Sequence, residues 1–223
     1  MKEQIKRELI NYQAYIKKHF QSSPLSSKKD SVEFYNLFEE VLTLSKIIQR
    51  ISNPSNTQVY CELIEYNLNN ILYFLPLNET ISINVSVRNT VEATLKLINT
   101  LDEPQKNFYG TGYRTMKDSR KELTIYNENK NIIDNLFNIY AQRSNNIHLK
   151  NAHDIELVSV LESKYLNEID RTFLTRISTD ITNCKHAILE TVVFYKLELN
   201  THQKISLKNY LSRKWQKKFN ELP

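Results

Sequence analysis

Apolar residues recur along this chain at three- and four-residue steps, the period of a helix that buries one face. Ile5, Leu9, Tyr12, Ile16 and Phe20 form one such stripe and predict a helix over residues 1–20. A Ser-rich stretch with Pro24 then reads as a loop. Asp30 followed by Glu33 reads as a capping box, opening a second helix that runs to about residue 51 and buries Phe34, Leu37, Phe38, Val41, Leu44 and Ile48. Asn53-Pro54-Ser55-Asn56 reads as a stop and a new start. A third helix is predicted over residues 57–75, with Val59, Leu63, Tyr66, Asn70 and Phe74 along its faces, and Pro76 ends it.

Residues 80–101 carry two patterns. Ile81, Ile83, Val85 and Val87 alternate as in a strand, while Val91, Leu95 and Ile98 return to the helical period. With no partner strand in view, the segment is read as a helix. Pro104, Gly110 and Gly112 mark residues 102–112 as the clearest break, readable as a loop or as a boundary between residues 1–101 and 113–223. A short helix follows over 113–122. Asn127 or Asn129 caps another, running to about residue 148 with Ile132, Ile133, Leu136, Phe137, Ile139 and Tyr140 on its apolar side. Asp154 opens a further helix, broken near Asn167. A long one over 168–199 then sets Phe173, Ile177, Ile181, Cys184, Ile188, Val192 and Tyr195 in register. Asn200 and Thr201 interrupt, and a basic helix closes the chain.

Composition supports this reading. Two Gly and five Pro in 223 residues leave little turn chemistry for β-hairpins. At 40% hydrophobic and 25% charged, the chain has the balance of a folded domain. The expectation is an all-α bundle of about seven to nine helices in one domain. Cys61 and Cys184 sit among apolar neighbours and read as reduced core thiols. No apolar run is long enough to span a bilayer, and no apolar h-region follows the charged first residues, so cytoplasm is the expected compartment and no membrane partner is expected. The net charge of +5 permits an anionic partner without demanding one.

Much of that charge lies near the C-terminus, where Lys204, Lys208, Arg213, Lys214, Lys217 and Lys218 face Glu221 alone after Thr201. Two readings stay open there. Tyr210, Trp215 and Phe219 among the cations suit stacking on single-stranded RNA, with Lys214, Lys217 and Lys218 on its phosphates. Alternatively, Tyr210, Leu211, Trp215 and Phe219 dock on the bundle while the cations stay solvated.

The patterns that announce most catalytic chemistry are missing. The chain has no Gly-rich phosphate loop, no His-Glu-x-x-His, no Gly-x-Ser-x-Gly and no acidic metal-binding ladder, so neither a metal nor another cofactor is expected. One arrangement remains, Arg143-Ser144-Asn145-Asn146-Ile147-His148, where an apolar helix turns polar. Residues five apart stand about 140° around an ideal helix, a gap that a long Arg side chain bridges. Phosphodiester cleavage needs a base near neutral pH, which His supplies, and a fixed cation for the charge building on phosphate, which Arg supplies. With the ribose 2′-hydroxyl as nucleophile, no metal is required. The bland alternative is an exposed helix end whose positive charge favours the helix dipole. Among the other histidines, His186 reads as a partly buried structural residue, His153 as part of a loop, and His19 and His202 as helix-end residues.

The segment from Ile139 to His148 resembles the Arg-x4-His helix of the HEPN superfamily, small all-helical bundles common in bacterial toxin and phage-defence systems. Ser86-Val87-Arg88-Asn89-Thr90-Val91-Glu92 resembles the helix that packs against the motif helix in such proteins. The resemblance covers residues 80–199. It implies a HEPN-like core and a metal-independent endoribonuclease whose homodimer brings two Arg–His pairs into one cleft, with RNA and a cognate antitoxin or defence-system protein as partners. It casts Arg143 as the scissile-phosphate ligand and His148 as general base or acid, with Ser144 beside them and Asn145, Arg88 and Glu92 in support, Glu92 orienting Arg143. An Arg88–Glu92 surface pair is the structural alternative. Family members often carry Asn, Asp or His after the Arg. Ser144 stands here instead, and it hydrogen-bonds without mimicking a charge. Non-catalytic HEPN domains serve as binding modules, so a silent helical interaction or regulatory protein is the alternative function.

Overall fold

Residues 80–102 resolve the mixed pattern in favour of a helix. In the computed structural model, which describes residues 2–26, 31–52, 56–147 and 169–221, they form one continuous α-helix. Its β-branched and polar side chains share the buried face. Asn84, Ser86, Thr90, Thr94 and Asn99 are all buried, and each returns a hydrogen bond to the carbonyl four residues earlier, at 2.8–2.9 Å. Polar groups satisfied within their own helix enter a core at little cost. That is why a segment with strand-like alternation packs as the central helix.

Among the described residues there are nine α-helices and no strand. They are α1 (Lys2–His19), α2 (Val32–Ile51), α3 (Gln58–Phe74), α4 (Thr80–Asp102), α5 (Tyr113–Ser119), α6 (Tyr126–Ile147), α7 (Arg171–Phe194), α8 (Thr201–Lys208) and α9 (Arg213–Asn220), with a 3₁₀ turn, Arg120–Glu122, after α5. The chain is an all-α bundle. Helices α2, α3, α4 and α7 pack in a ring, and α6 lies against α4 and α7. Packing of α2 on α7 and of α4 on α6 joins the chain on both sides of residues 102–112. The C-terminal basic segment is two short helices, with α8 against α2 and α9 against α7.

The helix ends follow local chemistry. Ser31, not Asp30, caps α2, its side chain accepting from the Phe34 amide at 3.1 Å. Asp30 lies outside the described residues, as does the helix predicted from Asp154. Asp170 caps α7 through the Thr172 amide. Asn200, read as an interruption, forms a full capping box with Gln203. Asn129, with φ −123° and ψ 28°, kinks α6 after its first turn.

With so few glycines, other residues take the left-handed turn that ends a helix. Asn78 (φ 52°) and Lys196 (φ 48°) both sit there. After α7, Leu197 N–H reaches the Val192 carbonyl and Lys196 N–H the Val193 carbonyl, the paired bonds of a Schellman cap. The same pair, from Glu79 to Phe74 and from Asn78 to Leu75, ends α3.

Helix α3 has its core face on Tyr60, Cys61, Ile64, Leu68 and Ile71. Of the residues read along its faces, Val59 and Tyr66 are exposed, while Leu63 and Phe74 pack part-buried against the core. Cys61 and Cys184 are both buried free thiols, and burial pushes each thiol up to about 12. No helix among the described residues is long and apolar enough to cross a membrane.

Candidate functional site

Arg143 does not sit at a solvent edge. It falls three residues after Tyr140 and seven after Leu136, in register with the apolar stripe of α6, and is only 4% exposed. Two other helices supply what a buried guanidinium requires. Its Nε donates to Asp180 Oδ2 of α7 at 2.6 Å, and Nη2 pairs with the same carboxylate. Its Nη1 donates to Asn84 Oδ1 of α4 at 2.9 Å. The Asn84 amide is held in turn by its own donor bond to the Thr80 carbonyl at 2.8 Å.

Asp180 also lies on a buried stripe, three residues after Ile177 and four before Cys184. Burial pushes its carboxyl above the usual range, and the adjacent Arg143 opposes that shift. Neither ion would tolerate this position without the other. The network ties α4, α6 and α7 together just before the end of α6.

Arg88 and Glu92 take separate partners. Glu92 pairs with Lys96 at 3.0 Å, one turn on, rather than with Arg143 or Arg88. Arg88 lies over the Tyr140 ring, 4.8 Å from its centre, and its Nη2 donates to the Tyr140 hydroxyl at 2.7 Å. Tyr140 stacks on Tyr113, with ring centres 4.0 Å apart and planes 10° from parallel. Asn84 and Arg88, one turn apart on α4, thus face Arg143 and Tyr140 on α6.

Along this seam two polar atoms, Arg88 Nε and Ser144 Oγ, are buried without a hydrogen-bond partner among the described residues. Ser144 is one turn beyond Tyr140, and Asn145 beside it is exposed. His148 lies outside the described residues, and so does His153.

The C-terminal aromatics are docked. Trp215 is 8% exposed and Phe219, Tyr210 and Leu211 are also buried, the arrangement expected where these side chains dock on the bundle. Lys218 crosses that ring at 4.8 Å and grips the Glu190 carboxylate at 2.8 Å. Lys214 and Lys217 remain exposed. His186 is on the outer side of α7, 6.2 Å from Trp215. Partial burial lowers its pKa from the ordinary value, and the neighbouring Lys185 adds to this.

Asp180, Asn84, Tyr140 and Tyr113 were not singled out by motif reading. Asp180 did leave a signal, as an acid in register on an apolar stripe, and Arg143 is its counterpart on α6. No three His, Cys, Asp or Glu side chains converge among the described residues. No family model, no curated protein and no solved structure matches the chain.

Proposed function

We propose that the protein is a HEPN-like RNA-binding protein that cleaves RNA without a metal, in a bacterial phage-defence or toxin–antitoxin setting. His148 is the proton-transfer group, acting on the ribose 2′-hydroxyl or the leaving oxygen. Arg143 is a positioning residue in this reading, because it is buried and its Nε, Nη1 and Nη2 already bond Asp180 and Asn84. Arg88 takes over as the cation for phosphate, since its Nε–H has no partner. The observation that carries the reading is the α4–α6 seam. There the buried Arg143–Asp180 pair holds α6 against α7, while Arg88 Nε and Ser144 Oγ are buried without a partner among the described residues. Buried polar atoms without partners are rare and call for a ligand or a functional role. A homodimer in the cytoplasm, held with a cognate antitoxin or defence protein, completes the proposal.

The burial of Arg143 also favours a second reading, a non-catalytic helical interaction protein in which the Arg–Asp–Asn network is purely structural. The two separate in one experiment. Purified protein, His148→Ala and Arg88→Gln are incubated with total RNA in EDTA. The enzyme reading expects cleavage by wild type, none by His148→Ala and a reduction of roughly tenfold or more in Arg88→Gln. Equal cleavage by wild type and His148→Ala, or none by either, removes the enzyme reading and leaves the interaction protein.

A further inference from the structure

At the other end of α4 lies a cleft of about 380 Å³, within the usual range for a small-molecule pocket. Its lining joins the start of α3, the end of α4 and residues 105–109 of the loop after α4. Thr100 lines it, only 2% exposed, with its hydroxyl unpartnered. That departs from the rest of the helix. The hydroxyls of Thr90 and Thr94 turn back to the carbonyl four residues earlier, as Thr191 does on α7. A buried hydroxyl that forgoes this local bond and borders a cleft is a recognition group in want of a ligand.

Around it stand amides and aromatic rings, with no carboxylate in the lining. Asn56 Nδ2 is spent on the Pro104 carbonyl at 2.9 Å, leaving its oxygen to accept. Asn107 Oδ1 is spent on the Tyr109 amide at 2.9 Å, leaving its NH₂ to donate. Gln105 offers both. Tyr109 stands 62% exposed at the rim, its backbone held by a 2.8 Å bond from Lys96 Nζ. Lys106 at the rim faces Glu103 at 3.4 Å, so no strong net charge is presented there.

We propose that this cleft binds a nucleobase. Such a ligand is planar and uncharged, and its edge carries both donors and acceptors. Amide side chains read that edge, and a Tyr ring stacks on its face. An anion, which only accepts, would leave the Asn56 oxygen unmatched, and an apolar ligand would leave Thr100 unpaired. Sixteen residues of helix, about 24 Å, separate Thr100 from Asn84, so this site is distinct from the Arg143 network. It does not depend on the nuclease reading. The base belongs either to a free nucleoside or nucleotide, or to single-stranded RNA.

The test titrates the full-length chain with each of the four free ribonucleosides and with a short mixed-sequence RNA oligomer in EDTA. Wild type, Tyr109→Ala, Thr100→Val and His148→Ala are compared, and the melting temperature of each is recorded. Saturable binding of at least one nucleoside is the expected result. Binding of the oligomer alone supports the site, and assigns the base to RNA, where Tyr109→Ala and Thr100→Val weaken it. Tyr109→Ala weakens that binding roughly tenfold. Thr100→Val weakens it by about the same factor while keeping or raising the melting temperature, so lost binding is not lost folding. The oligomer titrations use His148→Ala as the parent chain, so that cleavage does not consume the probe and this result stays separate from the cleavage assay. No saturable binding of any probe overturns the proposal, and so does binding that neither Tyr109→Ala nor Thr100→Val alters.

Discussion

The two ends of α4 treat buried polar atoms in opposite ways. Near its start, Asn84 joins Arg143 and Asp180 in a network whose guanidinium reaches both a carboxylate and an amide. Near its end, Thr100 holds a hydroxyl with no partner beside an open cleft. A closed network locks helices together, whereas an open one keeps a hydrogen bond in reserve. The same helix thus carries a buried lock at Asn84, with Arg88 Nε unpartnered one turn on, and a candidate recognition site at Thr100, where the unpartnered atom borders a cleft.

Breaking the closed end has the largest expected effect. Arg143→Ala strands the Asp180 carboxylate in the core and costs about 3–5 kcal/mol, read from urea unfolding. A marginally stable domain loses much of its total stability at that cost. Tyr140→Phe removes the hydroxyl that accepts from Arg88 while keeping the ring stacked on Tyr113, and costs about 1.5–3 kcal/mol because the lost bond is to a charged donor. A loss near zero would mean that Arg88 repartners freely, weakening the contrast. Thr100→Val acts in the other direction. Removing an unsatisfied buried hydroxyl raises stability by about 1 kcal/mol, seen as a higher urea midpoint. A loss instead would mean that Thr100 bonds within the protein, and the open end would then be closed too.

The smallest effect comes from His186, outside both ends. Its folded-state pKa lies below its ordinary value, mainly through partial burial. The unfolded chain therefore takes up this proton at higher pH than the folded one. The contribution is fully present above the ordinary histidine pKa and is lost as pH falls through the folded value. An NMR titration should place the His186 midpoint below that of a model peptide. A midpoint above it would contradict the assigned burial.

The fold was largely legible because helical periodicity is read from types and spacings alone. Its gaps have local causes. On α3 the helical period sets Val59, Leu63, Tyr66, Asn70 and Phe74 along the faces without choosing the core side, which Tyr60, Ile64, Leu68 and Ile71 fill. Both lines fit a helical period, and only the packing partner decides between them. The Schellman turn at Lys196 was invisible because a Lys in the left-handed region has no sequence signature. The site was harder to read. The motif drew Arg143 to a polar edge, whereas its register with Leu136 and Tyr140 places it inside. Two opposite charges, each in register on an apolar stripe, imply a buried pair, and that inference needed no motif. Asn84 could not be read this way, since its part in the network depends on which α4 residue faces Arg143 across the seam.

The most direct test of the closed network is a double-mutant cycle on unfolding free energy with Arg143→Met, Asp180→Leu and the double variant. A closed buried pair predicts that each single variant is severely destabilised, while the double variant recovers much of the loss, with a coupling of about 2–3 kcal/mol. Additive single effects, with coupling below about 0.5 kcal/mol, would mean that Arg143 and Asp180 stand in solvent rather than in the core, and would return Arg143 to the substrate-facing role its motif suggested.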